Sequence, residues 1–416
     1  MPFALAGNLA TRCRAHGRSR MGSSSVRVGL VKSSDLCGPV CRLDESWRRA
    51  VLVQRNASLT EEERQIQARC SQFLSHHRPA NPRQTLAALA AHEAAAELAD
   101  AYGKGGAVAR LEERGSALLG KDKGLFFMKG VTAQLCVLSA CAAQRGCRTV
   151  ALHPLSHLDF EEQNGIERVA QLIAIRVGRD APFTVEALDR IAEPLAAVVV
   201  ELPLRRAGYL LPELKGLEAI ATWCRGHEVP LHFDGARIWE AAASYDIQLT
   251  DLASLADSVY VSFYKGLGGI GGALVAGSEK FLDTLRPWKT RFGGDLVTAY
   301  PQAISALVGL ERQLPRIPEY VARARALAMQ LSNTPKLLLH PSQPQVNAFQ
   351  IWIAGEPDEL VARHRVFAEQ RGVWLFNSFQ PAALSGFMMA EIVIGDASDT
   401  YTIEQAADWV QAFAGG

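Results

Sequence analysis

Residues 230–237 are Pro-Leu-His-Phe-Asp-Gly-Ala-Arg, an apolar run that ends in an acid, a glycine and an arginine. Such a run is typical of a buried strand, and the Asp-Gly pair indicates a turn directly after it. Ligands of open α/β sheets bind at the carboxyl ends of the strands. Asp234 and Arg237 are therefore candidate site residues, and an ordinary turn is the alternative interpretation.

A second apolar run ends in a lysine and several glycines. Residues 258–272 are Ser-Val-Tyr-Val-Ser-Phe-Tyr-Lys-Gly-Leu-Gly-Gly-Ile-Gly-Gly. A buried lysine is costly unless its amine is used, and burial lowers its pKa towards the neutral amine that a Schiff base requires. Lys265 is therefore a candidate nucleophile, while a lysine that points from a strand end into solvent is the alternative.

The two runs together are more specific than either alone. An enzyme that uses pyridoxal phosphate (PLP) needs a lysine for the Schiff base and a carboxylate that keeps the pyridine nitrogen protonated. Lys265 and Asp234 supply this pair of groups. They predict a PLP enzyme in which Lys265 forms the Schiff base and Asp234 holds the ring nitrogen.

Short apolar segments alternate with helical patterns in the middle of the chain. The strand-like segments cover residues 124–128, 149–152, 172–177, 196–202, 229–233, 258–262 and 271–276. The helical patterns cover residues 84–101, 106–119, 132–144, 184–191 and 213–227. This alternation predicts an α/β fold with a mostly parallel sheet flanked by helices.

The C-terminal part of the chain has a different pattern. A long helical stretch at 302–333 precedes strand-like residues 346–353, 373–376 and 388–394 and helical patterns at 357–371 and 402–414. This order predicts a smaller C-terminal α+β domain. The expected organisation is a disordered N-terminal extension at 1–56, a large α/β domain at 57–314 and the small domain at 315–416.

The composition argues against several classes of partner. The chain has 44 Lys+Arg against 43 Asp+Glu, so its formal net charge of +1 favours neither nucleic acid nor a membrane surface. No apolar stretch reaches the roughly 20 residues that cross a bilayer. The eight cysteines show no metal-ligand spacing, since no second Cys/His pair follows Cys37 and Cys41 at a suitable distance. We expect no metal site, and reduced thiols in a cytoplasmic protein.

The N-terminal extension has an unusual composition. Its first 34 residues contain no Asp or Glu and carry several arginines and serines. This composition resembles a transit peptide, which would place the protein in an organelle. A disordered extension, or a later start at Met21, is the favoured alternative.

Between about Ala101 and Leu314 the chain resembles the threonine aldolase and β-eliminating lyase family of PLP enzymes, which has the aspartate-aminotransferase-like fold. The similar segments are Ala101-Tyr-Gly, Val108-Ala-Arg-Leu-Glu-Glu-Arg114, Ala117-Leu-Leu-Gly120, Ser156-His-Leu-Asp-Phe-Glu-Glu162, Arg206-Ala-Gly208, the runs around Asp234 and Lys265, and Lys289 before Gly293-Gly294. Their order and spacing match the family throughout. The resemblance implies a PLP-dependent transferase-like fold and PLP as the cofactor.

The resemblance also implies roles for individual residues. His157 would stack on the pyridine ring and move a proton at the substrate, and Lys265 and Asp234 would complete the catalytic set. Arg237 would lie beside the cofactor and pair with the substrate carboxylate, and Arg206 is a second candidate for substrate binding. The turn Lys129-Gly130-Val131-Thr132 would hold the cofactor phosphate at a helix N-terminus.

Several positions depart from the family pattern. Lys129 and Val131 stand where the family has Ser and Thr, so phosphate binding would depend on backbone amides, Thr132 and the Lys129 ammonium. Leu204 stands where the family has a histidine near the substrate hydroxyl. Glu391 lies in the strand that usually supplies a carboxylate-binding arginine, and Leu296 replaces another arginine. The cofactor positions are kept, whereas the substrate positions are largely changed.

These observations favour a lyase that resembles low-specificity threonine aldolase and cleaves a β-hydroxy-α-amino acid to glycine and an aldehyde. One alternative is β-elimination or another PLP reaction on a different amino acid, and a second is a non-catalytic protein with this fold. The expected partner is a small amino-acid substrate. The resemblance implies a homodimer or homotetramer, because enzymes of this fold place the active site at a subunit interface.

Overall fold

The structure is a computed structural model that describes residues 59–415. The predicted extension at 1–56, with Cys37 and Cys41, lies outside the described residues. The strands are β1 (Gln72–Phe73), β2 (Lys123–Phe127), β3 (Thr149–Leu152), β4 (Ile173–Arg176), β5 (Ala197–Glu201), β6 (Leu231–Asp234), β7 (Ser258–Ser262), β8 (Ala273–Gly277), β9 (Leu337–His340), β10 (Ala348–Ala354), β11 (Val373–Trp374), β12 (Gln380–Pro381) and β13 (Phe387–Val393).

Helices cover both the large sheet and the C-terminal strands. They are α1 (Glu61–Arg69), α2 (Pro82–Ala90), α3 (Gly106–Leu118), α4 (Gly130–Arg145), α5 (His157–Phe160), α6 (Gly165–Arg168), α7 (Val185–Leu188), α8 (Leu214–Gly226), α9 (Ile238–Tyr245), α10 (Leu249–Ser254), α11 (Glu279–Arg291), α12 (Tyr300–Arg312), α13 (Ile317–Leu331), α14 (Pro357–Arg371) and α15 (Ile403–Gly415). Among residues 59–415, no helix combines the length and apolar character needed to cross a membrane.

A seven-stranded sheet has the order β2-β8-β7-β6-β5-β3-β4. The neighbours from β7 to β4 pair in parallel, and β8 pairs antiparallel with both β7 and β2. Glu201 at the end of β5 and Asp234 at the end of β6 are partners in the register. The carboxyl ends of β5, β6 and β7 therefore meet at one edge of the sheet, where ligands of such folds bind.

The large sheet is buried on both faces. Successive residues of a strand point to opposite faces. In β5, Val198 and Val200 join one apolar cluster with residues of α8, and Ala197 and Val199 join a second with residues of α4. The near-continuous apolar sequence of each central strand follows from this two-sided burial.

The C-terminal strands form a smaller antiparallel sheet of order β12-β13-β10-β9. Within it, Gln350 of β10 pairs with Glu391 of β13. The N-terminal strand β1 pairs in parallel with β11, and the chain then passes the end of β13, where His76 bridges to Ile394. The N-terminal segment thereby reaches the same region as the C-terminal sheet.

The predicted fold class is confirmed, and all seven strand-like segments of the large domain form strands within a few residues of their predicted ends. The predicted helix at 84–101 is wrong, because α2 ends at Ala90 and His92 then accepts the N–H of Ala94 at 3.1 Å in a short 3-10 turn. The stretch at 302–333 is interrupted near Gln313, where Pro315 and Pro318 lack the N–H that continues a helix. The boundaries at 56 and 314 stay predictions.

Candidate active site

Lys265 lies in the loop after β7, at the carboxyl edge of the large sheet. Burial, with the charge of Arg237, lowers the pKa of Lys265 to about 8, against the opposing effect of Asp234. A substantial fraction of the amine is therefore neutral near pH 8, as a nucleophile requires. A side chain at Gly266 would overlap the Glu240 carboxyl group, so the loop is closely packed directly beside the lysine.

Asp234 is buried at the end of β6, and its Oδ1 accepts the N–H of Ala236 at 3.2 Å. Burial raises the pKa of Asp234, while the nearby Lys265 and Arg237 lower it. A carboxylate in such a place is stabilised by a further cation or N–H donor. The Gln134 amide also lies close enough to lower the pKa of Asp234, and its Oε1 is 2.7 Å from Nε2 of the buried His232.

Glu201 fixes the backbone on one side of the site. Its Oε2 accepts the N–H of His157 at 2.5 Å, and its Oε1 accepts the N–H of Arg205 at 3.1 Å. Burial, together with the charge of Asp234, raises the pKa of Glu201 to about 7. One carboxyl group thus positions both the predicted catalytic histidine and an arginine that was not predicted.

His157 begins α5, and its side chain is 32% exposed. Burial and the charges of Lys265 and Arg205 lower the pKa of His157 to about 2. Its Nδ1 lies 3.1 Å from Oε1 of Glu162, whose own pKa is raised to about 8 by burial and by Asp234. Near neutral pH, both groups are therefore uncharged, and they form a neutral hydrogen bond rather than an ion pair. This bond fixes the orientation of the imidazole.

We expect the cofactor-free protein to lose thermal stability as the pH rises from about 4.5 to about 8, the interval between the unfolded and folded pKa values of Glu162. Folded Glu162 has a pKa raised from 4.5, so it retains a proton that the unfolded chain has already lost. The free energy of unfolding therefore decreases with rising pH until folded Glu162 has also lost its proton, and Glu201, whose pKa is raised to about 7, acts in the same direction. Calorimetry of Glu162→Gln, which stays neutral, should give a shallower slope. Equal slopes in both proteins would refute the assignment.

The predicted phosphate turn begins α4. Lys129 is the extended residue before the helix, and Gly130, Val131 and Thr132 form its first turn, whose N–H groups have no acceptor within the helix. The Lys129 ammonium lies 4.8 Å from the centre of the Tyr264 ring. The structure therefore groups a helix N-terminus and a lysine as the sequence predicts, a combination that attracts an anion.

Gly130 lies against the hydroxyl of Tyr260. A methyl group at Gly130 would overlap this hydroxyl, and Tyr260 is buried, so it cannot move aside freely. We expect Gly130→Ala to destabilise the protein by about 1–3 kcal/mol through overpacking. Gly216→Ala is a matched control, because a methyl group there meets nothing within 4 Å in helix α8. Urea unfolding should show a loss for Gly130→Ala alone, and equal stabilities would contradict the packing argument.

Arg237 lies just before α9, with its guanidinium 5.1 Å from the centre of the Tyr209 ring. Among residues 59–415, no carboxylate lies within 4.0 Å of this guanidinium. Its charge lowers the pKa of Lys265, which places it beside the lysine. Arg237 is thus a cation at the site without a carboxylate partner in the described part of the chain.

Arg206, the second predicted substrate-binding residue, is differently placed. Its side chain is buried, its Nε donates to Glu161 at 2.6 Å, and its Nη1 donates to Gln380 at 2.6 Å. It also packs over the Phe160 ring. The structure does not favour Arg206 for substrate binding, because these protein groups already use its guanidinium.

Leu204 and Glu391, two positions that depart from the family pattern, both contact neighbouring protein groups. Leu204 is buried in a small apolar cluster with Leu155, Phe160 and Ala207. Glu391 accepts two hydrogen bonds from Arg205, at 2.9 Å from Nε and 2.5 Å from Nη2. Although burial opposes it, this pairing lowers the pKa of Glu391 to about 2. The negative charge of Glu391 is thus fixed by a bidentate ion pair at the edge of the site.

These residues lie within a segment that matches a known family. Residues 82–354 match the family model described as beta-eliminating lyase, which is more than half of the chain. The chain belongs to the beta-eliminating lyase family.

Relatives of this family with solved structures have the same fold. A protein of Exiguobacterium sp. 255-15, assigned as an aromatic amino acid beta-eliminating lyase/threonine aldolase, is 32% identical with a TM-score of 0.79, over 85% of this chain and 99% of that chain. A protein of Listeria monocytogenes EGD-E, assigned as an L-allo-threonine aldolase, is 31% identical with a TM-score of 0.79, over 84% of this chain and 97% of that chain. Low-specificity L-threonine aldolase 1 of Arabidopsis thaliana is 24% identical over 57% of this chain and 69% of the relative. The predictions of the family, the fold and a PLP-dependent lyase are confirmed.

Sequence reasoning missed several site residues of this beta-eliminating lyase. Glu201 ends a buried strand, as Asp234 does, so the argument that identified Asp234 could also have identified Glu201. Lys289 is buried and packs against Gly294, where a side chain would also touch Thr132. Lys289 had been noted only as part of the family resemblance. Arg205 had no local signal, because its partner Glu391 is far away in the chain.

Proposed function

We propose that this protein is a PLP-dependent lyase that cleaves a β-hydroxy-α-amino acid between Cα and Cβ, giving glycine and an aldehyde. The observation that carries the proposal is the meeting of Lys265, Asp234, His157 and Arg237 at the carboxyl edge of β5, β6 and β7. Several relatives are low-specificity L-threonine aldolases. Family and geometry therefore support the same chemistry.

The residues at this edge fit the cofactor. PLP, when bound, supplies an electron-poor ring that stabilises negative charge at the substrate Cα. Lys265 has the lowered pKa of an amine that bonds to an aldehyde, and the buried Asp234 would stabilise a protonated ring nitrogen. The first turn of α4, with Lys129 and Thr132, would bind the phosphate.

Substrate binding would depend on Arg237. Its guanidinium lies beside Lys265 and has no carboxylate partner among the described residues, so a substrate carboxylate would complete its pairing. His157 is neutral, partly exposed and oriented by Glu162. A neutral imidazole is able to accept a proton, so His157 or a water molecule is the candidate acceptor for the substrate hydroxyl proton.

The products decide between the two enzymatic alternatives. Purified protein supplied with PLP should develop a visible absorption band and should release glycine from L-threonine or L-phenylserine. The buried Leu204 and the paired Glu391 alter the substrate side of the site, which favours β-elimination as the second candidate. Release of ammonia and a keto acid without glycine would select elimination and reject the aldolase proposal.

The protein is also proposed to be a homodimer or a homotetramer. Large apolar side chains are exposed on two segments joined by a hydrogen bond from Tyr102 N–H to Val297 O at 3.0 Å. These side chains are Leu98, Tyr102, Leu296, Val297 and Tyr300. The patch adjoins Lys289, whose Nζ would lie 3.4 Å from a side chain at Gly103. A second copy that covers this patch would bury its apolar area, and light scattering should give at least twice the 45.2 kDa chain mass.

A cytoplasmic location is the remaining part of the proposal. Cys70, Cys136, Cys141, Cys147 and Cys224 are free thiols, and three of them are buried. Free thiols are typical of proteins in reducing compartments. Fractionation of the source cells tests this location.

A further inference from the structure

His76 lies at the point where three parts of the chain converge beside the site. Its N–H donates to the carbonyl of Val393, at the end of β13, at 2.6 Å. The next residue, His77, binds the carbonyl of Gly266 through Nε2 at 3.0 Å. Residues 76 and 77 thus connect the strand that carries Glu391 to the loop that carries Lys265.

The backbone at His76 is held in an unusual conformation. Its φ is 68°, in the left-handed region that a histidine adopts at some energetic cost. Its carbonyl accepts the N–H of Ala397 at 3.3 Å and lies where a side chain at Gly395 would clash. These contacts hold the backbone of His76 in place, and they thereby fix the direction of its side chain.

His76 is exposed to solvent although several charged side chains lie near it. Neither ring nitrogen has a hydrogen-bond partner among the described residues. Even so, desolvation by the surrounding protein lowers the pKa of His76 to about 4. The carboxylate of Glu391 opposes this shift, whereas three nearby basic residues add to it: Arg237, His77 and Arg205.

His76 shares its charged neighbours with His157. Arg205 and Arg237 lower the pKa of both imidazoles, so both lie near the same two guanidinium groups. Burial and these guanidinium groups lower both pKa values, so both imidazoles are neutral near pH 7 and able to accept a proton. Moreover, Nδ1 of His157 is already bonded to Glu162, whereas the His76 ring has no hydrogen-bond partner among residues 59–415.

We propose that His76 contacts the β-hydroxyl group of the substrate and accepts its proton, a role that Leu204 is unable to perform. The inference rests on the proposed lyase function. In the cleavage, the hydroxyl O–H bond breaks and its proton passes to the imidazole. The O–H electron pair forms the carbonyl of the aldehyde, the Cα–Cβ pair stays on Cα, and a proton returned to Cα completes glycine.

The test compares L-threonine, which carries the β-hydroxyl group that His76 would contact, with glycine, which lacks it. Asparagine tolerates the left-handed conformation, so His76→Asn should fold and retain the cofactor absorption band. We expect its kcat/KM for L-threonine to fall by about 10²-fold or more, the usual effect of losing a positioned base. Calorimetric binding of glycine, which has no hydroxyl group, should stay within about twofold of wild type on this argument.

His227→Asn is the matched control, since that histidine is exposed directly after α8 and stacks on Trp223. An unchanged kcat/KM in a folded His76→Asn protein would overturn the inference. An equal loss of glycine binding and L-threonine turnover would also overturn it, because it would indicate a general structural role. Absence of glycine release from the wild-type enzyme would instead reject the lyase proposal on which the inference rests.

Discussion

Lys265→Ala should remove the visible absorption band of the PLP-loaded protein and lower its activity by a factor on the order of 10⁴ or more. The expected loss is large because the proposed function assigns the covalent bond with the cofactor to the amine of Lys265. Its pKa of about 8 makes that amine available near neutral pH. Absorption spectra before and after addition of PLP, followed by glycine release, measure both effects.

Lys121→Ala is the control for this substitution. Lys121 is a second partly buried lysine whose pKa burial lowers, and its Nζ donates to the carbonyl of Ala256 at 2.6 Å. Its loss should reduce stability and leave the absorption band intact. If Lys265→Ala kept the band while Lys121→Ala lost it, the assignment of the cofactor lysine would be wrong.

Asp234→Asn should lower activity by about 10²- to 10⁴-fold with little change in fold. Asparagine retains the side-chain oxygen that accepts the N–H of Ala236, so the local structure is preserved. It lacks the negative charge that would stabilise a protonated ring nitrogen. The change should therefore appear in kcat and in the spectrum of the bound cofactor more than in the melting temperature.

Asp257→Asn provides the comparison at the opposite end of the same strand. The Oδ2 of Asp257 accepts the N–H of Leu231, at the start of β6, at 2.8 Å. This substitution should leave kcat and the spectrum unchanged. Activity of Asp234→Asn within about tenfold of wild type would fall outside the expected range and would count against its role at the ring nitrogen.

The Arg205–Glu391 ion pair brings together two charged residues from distant parts of the chain at one edge of the site. Glu391 stands in the strand where the family resemblance implies an arginine, and the structure pairs it with an arginine from another segment. A guanidinium group thus remains at this edge of the site, although it comes from a different part of the chain and its charge is balanced by the Glu391 carboxylate. The substrate side of the site is therefore rearranged and still carries two guanidinium groups.

The sequence by itself determined the large sheet and the positions of Lys265 and Asp234. Each central strand is buried on both faces, so its apolar run is visible locally, and the polar residue that ends the run marks the ligand-binding edge. Helix ends at Ala90 and near Gln313 were missed because a single side-chain bond or proline overrides a helical pattern.

Only the tertiary structure decided which polar side chains from distant parts of the chain lie at the edge of the sheet that carries Lys265 and Asp234. Arg205 and Glu391 are 186 residues apart in the chain, and Arg206 is bound to Gln380, 174 residues away. His76 reaches the site through its contact with the end of β13. Such pairings depend on how the C-terminal sheet and the N-terminal segment pack on the large domain. They leave no periodic or local pattern in the sequence, because each partner alone is an ordinary polar residue.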